Sequence, residues 1–218
     1  MNYSIQNDPR SNWRLMFPLF MNLKGKKVLV VGAGPVGMRR IEKLLAANAR
    51  IRMVCTEPPQ TPVSDGVEVQ IEPYNSSHLD GIRMALAAAP EEVNRAVVRD
   101  AKARGIPVNS ASDPDESDFH IPATICKGPL TIAISSGGLA PGVSRVVRQH
   151  LETTLDDAFG EWVALAGFFR PSILQMPKQQ QQPLLEQLHN PEWIDRLRKE
   201  GFESVKNAMQ TMIDDCCF

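Results

Sequence analysis

Residues 26–37 read KKVLVVGAGPVG, and this stretch decides the fold of the chain. The segment Lys26–Val31 is a short aliphatic run of the kind found in strands buried on both faces. It leads directly into Gly32, Gly34 and Gly37, which have the spacing G-x-G-x-x-G. In that motif the first glycine permits a tight turn, the second lets the backbone approach a pyrophosphate, and the third lets a helix pack closely on the strand. The stretch therefore predicts a dinucleotide site, the alternative being a glycine turn without a ligand.

Strands and helices alternate on either side of this motif. The predicted helices are Met38–Asn48 and Glu91–Arg104, and the further predicted strands are Ile51–Cys55, Val67–Ile71, Met84–Ala89 and Pro107–Ser110. This alternation at short spacing indicates an α/β fold with a parallel, doubly wound sheet of the Rossmann type.

The pattern changes near residue 118. Phe119–Cys126 and Leu130–Ser135 are predicted to be strands with no helix between them, and the remainder of the chain is mostly helical. The glutamine run Gln179–Gln182 is predicted to be a loop, and Pro191 and Gly201 are expected to bracket a helix. The predicted organisation is a Rossmann domain over residues 1–115, a small β-containing segment over 116–150 and a helical C-terminal domain over 151–218. The first 16 residues of the Rossmann domain are predicted to be a loosely packed leader.

Composition limits the classes of function. The formal net charge is −1 and hydrophobic residues make up 43% of the chain, so no basic excess predicts binding to nucleic acid or to an anionic membrane. No apolar run approaches the ~20 residues that span a bilayer, and the first residues lack the apolar core of a signal peptide. We therefore expect a cytoplasmic protein. Its cysteines are expected to be reduced and to form no metal site; the four cysteines are Cys55, Cys126, Cys216 and Cys217.

The end of the second predicted strand bears on the choice of cofactor. Glu57 lies 20 residues after Gly37, close to where a carboxylate binds the adenosine ribose in such folds. No arginine directly follows that strand to bind a 2′-phosphate. The pattern favours NAD over NADP, and the alternative for Glu57 is a solvated loop acid.

Four further stretches carry a resemblance to a known family. They are FPLFMNLKGKKVLVVGAGPVGMRRIEKLL (17–45), VNSASDPDESDFHIPA (108–123), GPLTIAISSGG (128–138) and APGVSRVVRQHLE (140–152). In this order they resemble the precorrin-2 dehydrogenase/sirohydrochlorin ferrochelatase family, which includes the N-terminal half of bacterial sirohaem synthase.

The resemblance implies a function and an assembly. It implies oxidation of precorrin-2 to sirohydrochlorin with NAD as the hydride acceptor, and a homodimer formed through the segment 116–150. By position, Pro35 and Val36 would lie on the phosphate turn, and Thr56 and Glu57 at the ribose. The small residue Ala88, at the end of the fourth strand, would leave room for the nicotinamide.

The chain departs from the family at the proposed acid/base. The family pattern Asn-x-x-Asp-x-Pro corresponds here to Asn109–Pro114, which reads NSASDP. Ser112 occupies the place of the aspartate, and Asp113 follows one residue later. A serine cannot act as a carboxylate base at neutral pH, so Asp113 is the candidate acid/base, the alternative being a turn residue before proline.

Precorrin-2 carries eight carboxylates, and its site therefore needs cations and hydrogen-bond donors. The candidates for these contacts, each with a plain surface or turn role as the alternative, are Arg39, Arg40, Arg145, Arg148, Ser136 and Gly137. His120 is interpreted as structural, the alternative being a metal ligand. Two rival functions stay open. One is a bifunctional dehydrogenase and ferrochelatase. The other is a non-catalytic NAD- or tetrapyrrole-binding sensor or carrier, which the loss of the family aspartate and the expected exposure of Trp193 and Phe218 in the helical tail would fit.

Overall fold

The computed structural model describes residues 16–215. All but the last residue of the predicted leader, together with Cys216, Cys217 and Phe218, lie outside the described residues. The described chain divides into two compact units, with the division between Ile121 and Pro122. The domain limits at residues 115 and 150 stay predictions.

The first unit is a five-stranded parallel sheet flanked by helices. Its elements are β1 (Lys27–Val31), α1 (Pro35–Ala46), β2 (Arg50–Cys55), β3 (Val67–Ile71), a 3₁₀ turn (Ser76–Leu79), β4 (Met84–Ala87), α2 (Glu91–Ala103) and β5 (Val108–Ser110). The strand order is β3-β2-β1-β4-β5, and every neighbouring pair is parallel. This confirms the predicted Rossmann-type sheet, whose strand order reverses between β1 and β4.

Strand β1 is buried on both faces, as its aliphatic run predicted. Val28 and Val30 belong to one apolar core with Ile41 of α1, whereas Leu29 belongs to a second core with Val97 of α2. Alternating side chains of one strand therefore join two layers of helix. Burial of each such side chain stabilises the fold by about 1.5–3 kcal/mol.

The second unit consists of one β-hairpin and five helices. Its elements are β6 (Ala123–Lys127), β7 (Leu130–Ile134), α3 (Pro141–Thr154), α4 (Asp157–Leu174), α5 (Lys178–Leu188), α6 (Glu192–Glu200) and α7 (Phe202–Asp214). The two strands are antiparallel. Its core is formed by α4–α7 and includes Leu165, Leu188 and Met209. This agrees with the predicted small β segment and helical C-terminal region, including the helix bracketed by Pro191 and Gly201.

One predicted boundary and one predicted element were wrong. The first strand of the hairpin does not begin at Phe119 but at Ala123. The carbonyl of Phe119 instead accepts a hydrogen bond from Asn109 Nδ2 at 2.8 Å. In addition, Pro122 has no N–H to donate to a neighbouring strand. The glutamine run does not form a loop but the first turns of α5. Glutamine is a good helix former, and Gln181 Nε2 donates to the carbonyls of Leu174 and Met176 near the end of α4.

Trp193 is not an exposed residue of the tail. It is buried in the core of the second unit, and its Nε1 donates to the carbonyl of Gln187 at 2.8 Å. Its size and burial explain its place in α6 without a ligand or partner. Among residues 16–215, no helix is long and apolar enough to cross a lipid bilayer.

Candidate functional site

A cavity of about 1100 Å³ opens at the carboxyl ends of the strands of the first unit. It is lined by residues that follow β1, β2, β3 and β4, including Gly32, Thr56, Glu72 and Ala88. It thus lies beside the point between β1 and β4 where the strand order reverses, which is where open α/β sheets bind ligands.

The three glycines of the turn have distinct surroundings. Gly32 has φ +109°, and a Cβ there would lie 2.2 Å from the carbonyl oxygen of Ala88. A Cβ at Gly37 would lie 2.1 Å from the carbonyl oxygen of Gly32. A Cβ at Gly34 would meet no atom within 4 Å. The turn therefore packs tightly at its first and third glycines and leaves open space at the second, where a pyrophosphate has to approach.

Helix α1 begins at this open space. Gly34 is its N-cap and Pro35 its first residue, and both line the cavity. Val36 lies in the first turn and is 38% exposed, but it is not among the described residues that line the cavity. The free N–H groups and the positive end of the helix dipole at this terminus suit an anionic phosphate.

The ends of β2 and β3 form the far part of the cavity. Thr56 and Glu57, both predicted to lie at the ribose, line it together with Glu72 and Tyr74. The sequence analysis did not identify Glu72 or Tyr74. A signal for Glu72 was present in the sequence, because the pair Glu72-Pro73 directly follows the predicted strand Val67–Ile71. Glu57 was identified from its place after a predicted strand by the same reasoning.

The loop after β4 is braced by a buried amide. Asn94 of α2 is only 1% exposed. Its Oδ1 accepts from the N–H of Ala89 at 2.9 Å, and its Nδ2 donates to the carbonyl of Ala89 at 2.8 Å and to Ser112 Oγ at 3.0 Å. Asn94 therefore fixes the backbone beside Ala88, at the wall of the cavity.

Replacing Asn94 with alanine is expected to lower the free energy of unfolding by about 1–3 kcal/mol, because both backbone groups of Ala89 lose their buried partner. Urea denaturation would measure this change. Asn207, which is exposed on α7, provides the matched control; Asn207→Ala should change the stability by less than about 0.5 kcal/mol. Equal effects of the two substitutions would contradict the bracing role.

Ser112 and Asp113 lie in the turn after β5, and neither is among the described residues that line the cavity. The hydroxyl of Ser112 contacts Asn94 and, at 3.2 Å, Ser110 Oγ. Asp113 is exposed, and its Oδ1 accepts from the N–H groups of Asp115 and Glu116 at 2.9 and 3.3 Å. One carboxylate oxygen of Asp113 therefore stabilises the turn.

The two arginines after the glycine turn have different environments. Arg39 is exposed, lines the cavity, and donates to the carbonyl of Pro35 at 3.2 Å. Arg40 is half-buried and donates to the carbonyl of Ala87 at 3.1 Å and to Asn109 Oδ1 at 2.6 Å. Burial lowers the pKa of Arg40 below its usual value. Arg40 thus holds α1 against β4 and β5, and Arg39 is the better placed of the two for a ligand.

The remaining predicted substrate residues lie in the second unit. Ser136 Oγ accepts from the N–H of Ala140 at 3.2 Å, and the N–H of Gly137 donates to Ser135 Oγ at 3.1 Å, so both help to shape the turn before α3. Arg145 is exposed on α3, and Arg148 forms an ion pair with Glu152 one turn later.

No group of His, Cys, Asp and Glu side chains suited to a metal ion occurs in the described part of the chain. His120 is half-buried at the edge of the first unit. Cys55 is buried and Cys126 exposed, and both are free thiols. Burial raises the pKa of the Cys55 thiol, which keeps it protonated at neutral pH.

Comparisons with known proteins agree with this geometry. Residues 19–123 match the family model described as "Putative NAD(P)-binding", which confirms the expectation of an NAD-type cofactor, and residues 127–154 match the model of the sirohaem biosynthesis protein central region. The chain is similar to the siroheme synthase of Chromobacterium violaceum (38% identity over 162 residues, 72% of this chain and 34% of that protein). It is also similar to that of Methylobacillus flagellatus (32% over 203 residues, 90% of this chain and 44% of that protein).

A solved structure shares the fold. It is that of SirC, a precorrin-2 dehydrogenase, with a TM-score of 0.70 and 22% identity, covering 90% of this chain and 100% of that one. The chain spans less than half the length of the two siroheme synthases named above. The ordered family stretches, the two matched models and these relatives lead to one assignment: the chain belongs to the precorrin-2 dehydrogenase/sirohaem synthase family.

Proposed function

We propose that this protein oxidises precorrin-2 to sirohydrochlorin with NAD as the acceptor. The observation that supports this most directly is the open space over Gly34 at the start of α1. In a chain of this family, that space fits the pyrophosphate of a dinucleotide. NAD, when bound, would supply the acceptor for the hydride that leaves the substrate.

The residues of the chain would orient the two reactants. The glycine turn and the first turn of α1 would hold the pyrophosphate, Thr56 and Glu57 the ribose, and the braced loop at Ala88 would leave space for the nicotinamide. Arg39, which lines the cavity of the first unit, is a proposed contact for a substrate carboxylate, since arginine forks match carboxylate geometry. Ser136, Gly137, Arg145 and Arg148 stay candidate carboxylate contacts on the strength of their positions in the sequence.

The oxidation also releases a proton, and we propose the carboxylate of Asp113 as its acceptor. Ser112 stands where the family aspartate is expected and cannot accept a proton at neutral pH. Asp113 is exposed, and its Oδ1 stabilises the turn, so the proposal assigns the proton to its second carboxylate oxygen.

Anaerobic incubation with precorrin-2 and NAD, followed by absorbance, tests the proposal. We expect sirohydrochlorin and NADH to form in equal amounts. NAD binding by the folded protein without product would overturn the dehydrogenase and favour a sensor or carrier. Metal insertion into sirohydrochlorin in the same preparation would add the ferrochelatase reaction.

The proposed assembly is a homodimer, supported by an apolar stripe on α3. Val143 and Val146 are 57% and 59% exposed, and Val147 is also exposed on the same helix. They share one face at the spacing of an amphipathic helix, and Leu139 just before the helix is 58% exposed. Contiguous exposed apolar surface of this kind marks an interaction surface.

The substitution Val146→Asp is expected to convert the dimer to a monomer of 24.2 kDa, because an aspartate in the centre of the interface would be buried without a partner. Analytical ultracentrifugation would measure the mass. Phe168→Asp changes another exposed apolar residue of the same unit and should leave the mass unchanged. An unaltered dimer in the Val146 variant would contradict the proposed interface.

A further inference from the structure

We infer that Glu72 is a second specificity-determining carboxylate of the cofactor site, held in place by the buried His78, and that with Glu57 it disfavours a nucleotide bearing a 2′-phosphate. This inference rests on the cavity of the first unit being the NAD-type site. It assigns a role to a side chain that follows β3, whereas the ribose carboxylate in such folds follows β2.

Glu72 lies beside the end of β2. Cys55 of β2 pairs with Ile71 of β3, and the N–H of Glu72 donates to the carbonyl of Cys55 at 2.9 Å. Neighbouring strands are about 4.8 Å apart, so Glu72 emerges next to the segment that carries Thr56 and Glu57. Both glutamates line the same cavity.

A buried histidine orients the Glu72 side chain. His78 is 5% exposed, and its Nδ1 accepts from the N–H of Asn75 at 3.0 Å. An accepting Nδ1 carries no proton, so the ring proton is on Nε2, which donates to Glu72 Oε1 at 3.0 Å. The ring is further fixed by Tyr74, whose centroid lies 5.9 Å away.

The same contacts leave the carboxylate available. The Glu72 side chain remains 52% exposed although one oxygen is bound to His78. A neutral donor cancels none of its charge, so a full negative charge is presented at a fixed position.

The charges around the cavity are unbalanced. The described residues that line it include four glutamates and one arginine; these are Glu42, Glu57, Glu72, Glu92 and Arg39. Arg39 already donates to the carbonyl of Pro35 in the phosphate turn. A ribose hydroxyl can donate to a carboxylate, whereas a 2′-phosphate meets the carboxylate as a like charge and is repelled.

The substitution Glu72→Gln tests the inference, because the amide oxygen can still accept from His78 while the charge is removed. The dissociation constants of NADH and NADPH would be measured by fluorescence titration at low ionic strength. We expect NADPH to bind about tenfold more tightly than to the unaltered protein, with NADH changed by less than about threefold. Glu68→Gln removes the same charge from the same strand outside the cavity and should leave the ratio of the two constants unchanged.

A second variant tests the positioning role of His78. His78→Phe keeps an aromatic ring beside Tyr74 and removes both the donor to Glu72 and the acceptor of the Asn75 N–H. The preference for NADH over NADPH should then fall by about threefold. Added to Glu72→Gln it should change the ratio no further, because residues that act through one another are non-additive. If His78 had only a structural role, His78→Phe would lower the melting temperature without changing the ratio of the NADH and NADPH dissociation constants.

The outcomes separate this inference from the cofactor assignment. Binding of both nucleotides with an unchanged ratio in Glu72→Gln would overturn the role of Glu72 alone. Failure of the unaltered, folded protein to bind either nucleotide would overturn the cofactor site and this inference with it.

Discussion

Replacing Gly34 with alanine is expected to weaken NADH binding at least about tenfold, a loss of about 1.4 kcal/mol of binding free energy, while the protein stays folded. The added methyl group meets no protein atom within 4 Å, and Gly34 has φ −70°, which alanine adopts readily. As an N-cap, alanine is less favourable than glycine by no more than about 1 kcal/mol. The methyl group therefore occupies only the space in which the pyrophosphate must approach.

Gly32→Ala is the matched control, since it adds the same methyl group two residues earlier. There the Cβ would lie 2.2 Å from a backbone oxygen, and φ is +109°. Strain and overpacking should together lower the stability by about 2–5 kcal/mol. Urea denaturation and fluorescence titration on both variants separate the effects. Normal NADH affinity in Gly34→Ala would show that the dinucleotide does not pass over this turn.

The sequence predicted the parallel sheet and the glycine turn because both depend on neighbours in the chain. β1 runs directly into the motif, and its aliphatic residues leave no exposed face, so the two helical layers follow. The errors arose where tertiary contacts outweigh local pattern. The glutamine run became helical because Gln181 binds the end of α4 and Leu184 is buried in the core.

The candidate site was predicted in part for the same reason. Gly32, Gly34, Pro35, Thr56 and Glu57 all line the cavity as expected from their positions after strands. The pairing of Glu72 with His78 was missed because it brings together a strand end and a 3₁₀ turn, and no spacing rule encodes that contact. Arg40 was a candidate ligand contact because the sequence cannot show that Asn109, 69 residues away, binds its guanidinium.

Replacing Asp113 with asparagine is expected to lower the rate of precorrin-2 oxidation by about 100- to 10,000-fold, the usual contribution of a general acid or base. Asparagine retains an Oδ1 that can accept from the N–H groups of Asp115 and Glu116, so the turn is preserved while the base is lost. NADH affinity and the free energy of unfolding should stay as in the unaltered protein. Single-turnover absorbance measurements under anaerobic conditions would give the rate of the chemical step.

Asp113→Ala is the companion variant, because it removes both the base and the turn acceptor. If Asp113 is the base, alanine and asparagine should slow turnover alike, and only alanine should lower the stability, by about 1 kcal/mol. If Asp113 serves only the turn, asparagine should turn over at the normal rate and alanine alone should show a defect. The second result would overturn Asp113 as the proton acceptor.

Restoring the family pattern with Ser112→Asp in the Asp113→Asn background should recover at least about tenfold in rate, because a carboxylate would again follow β5.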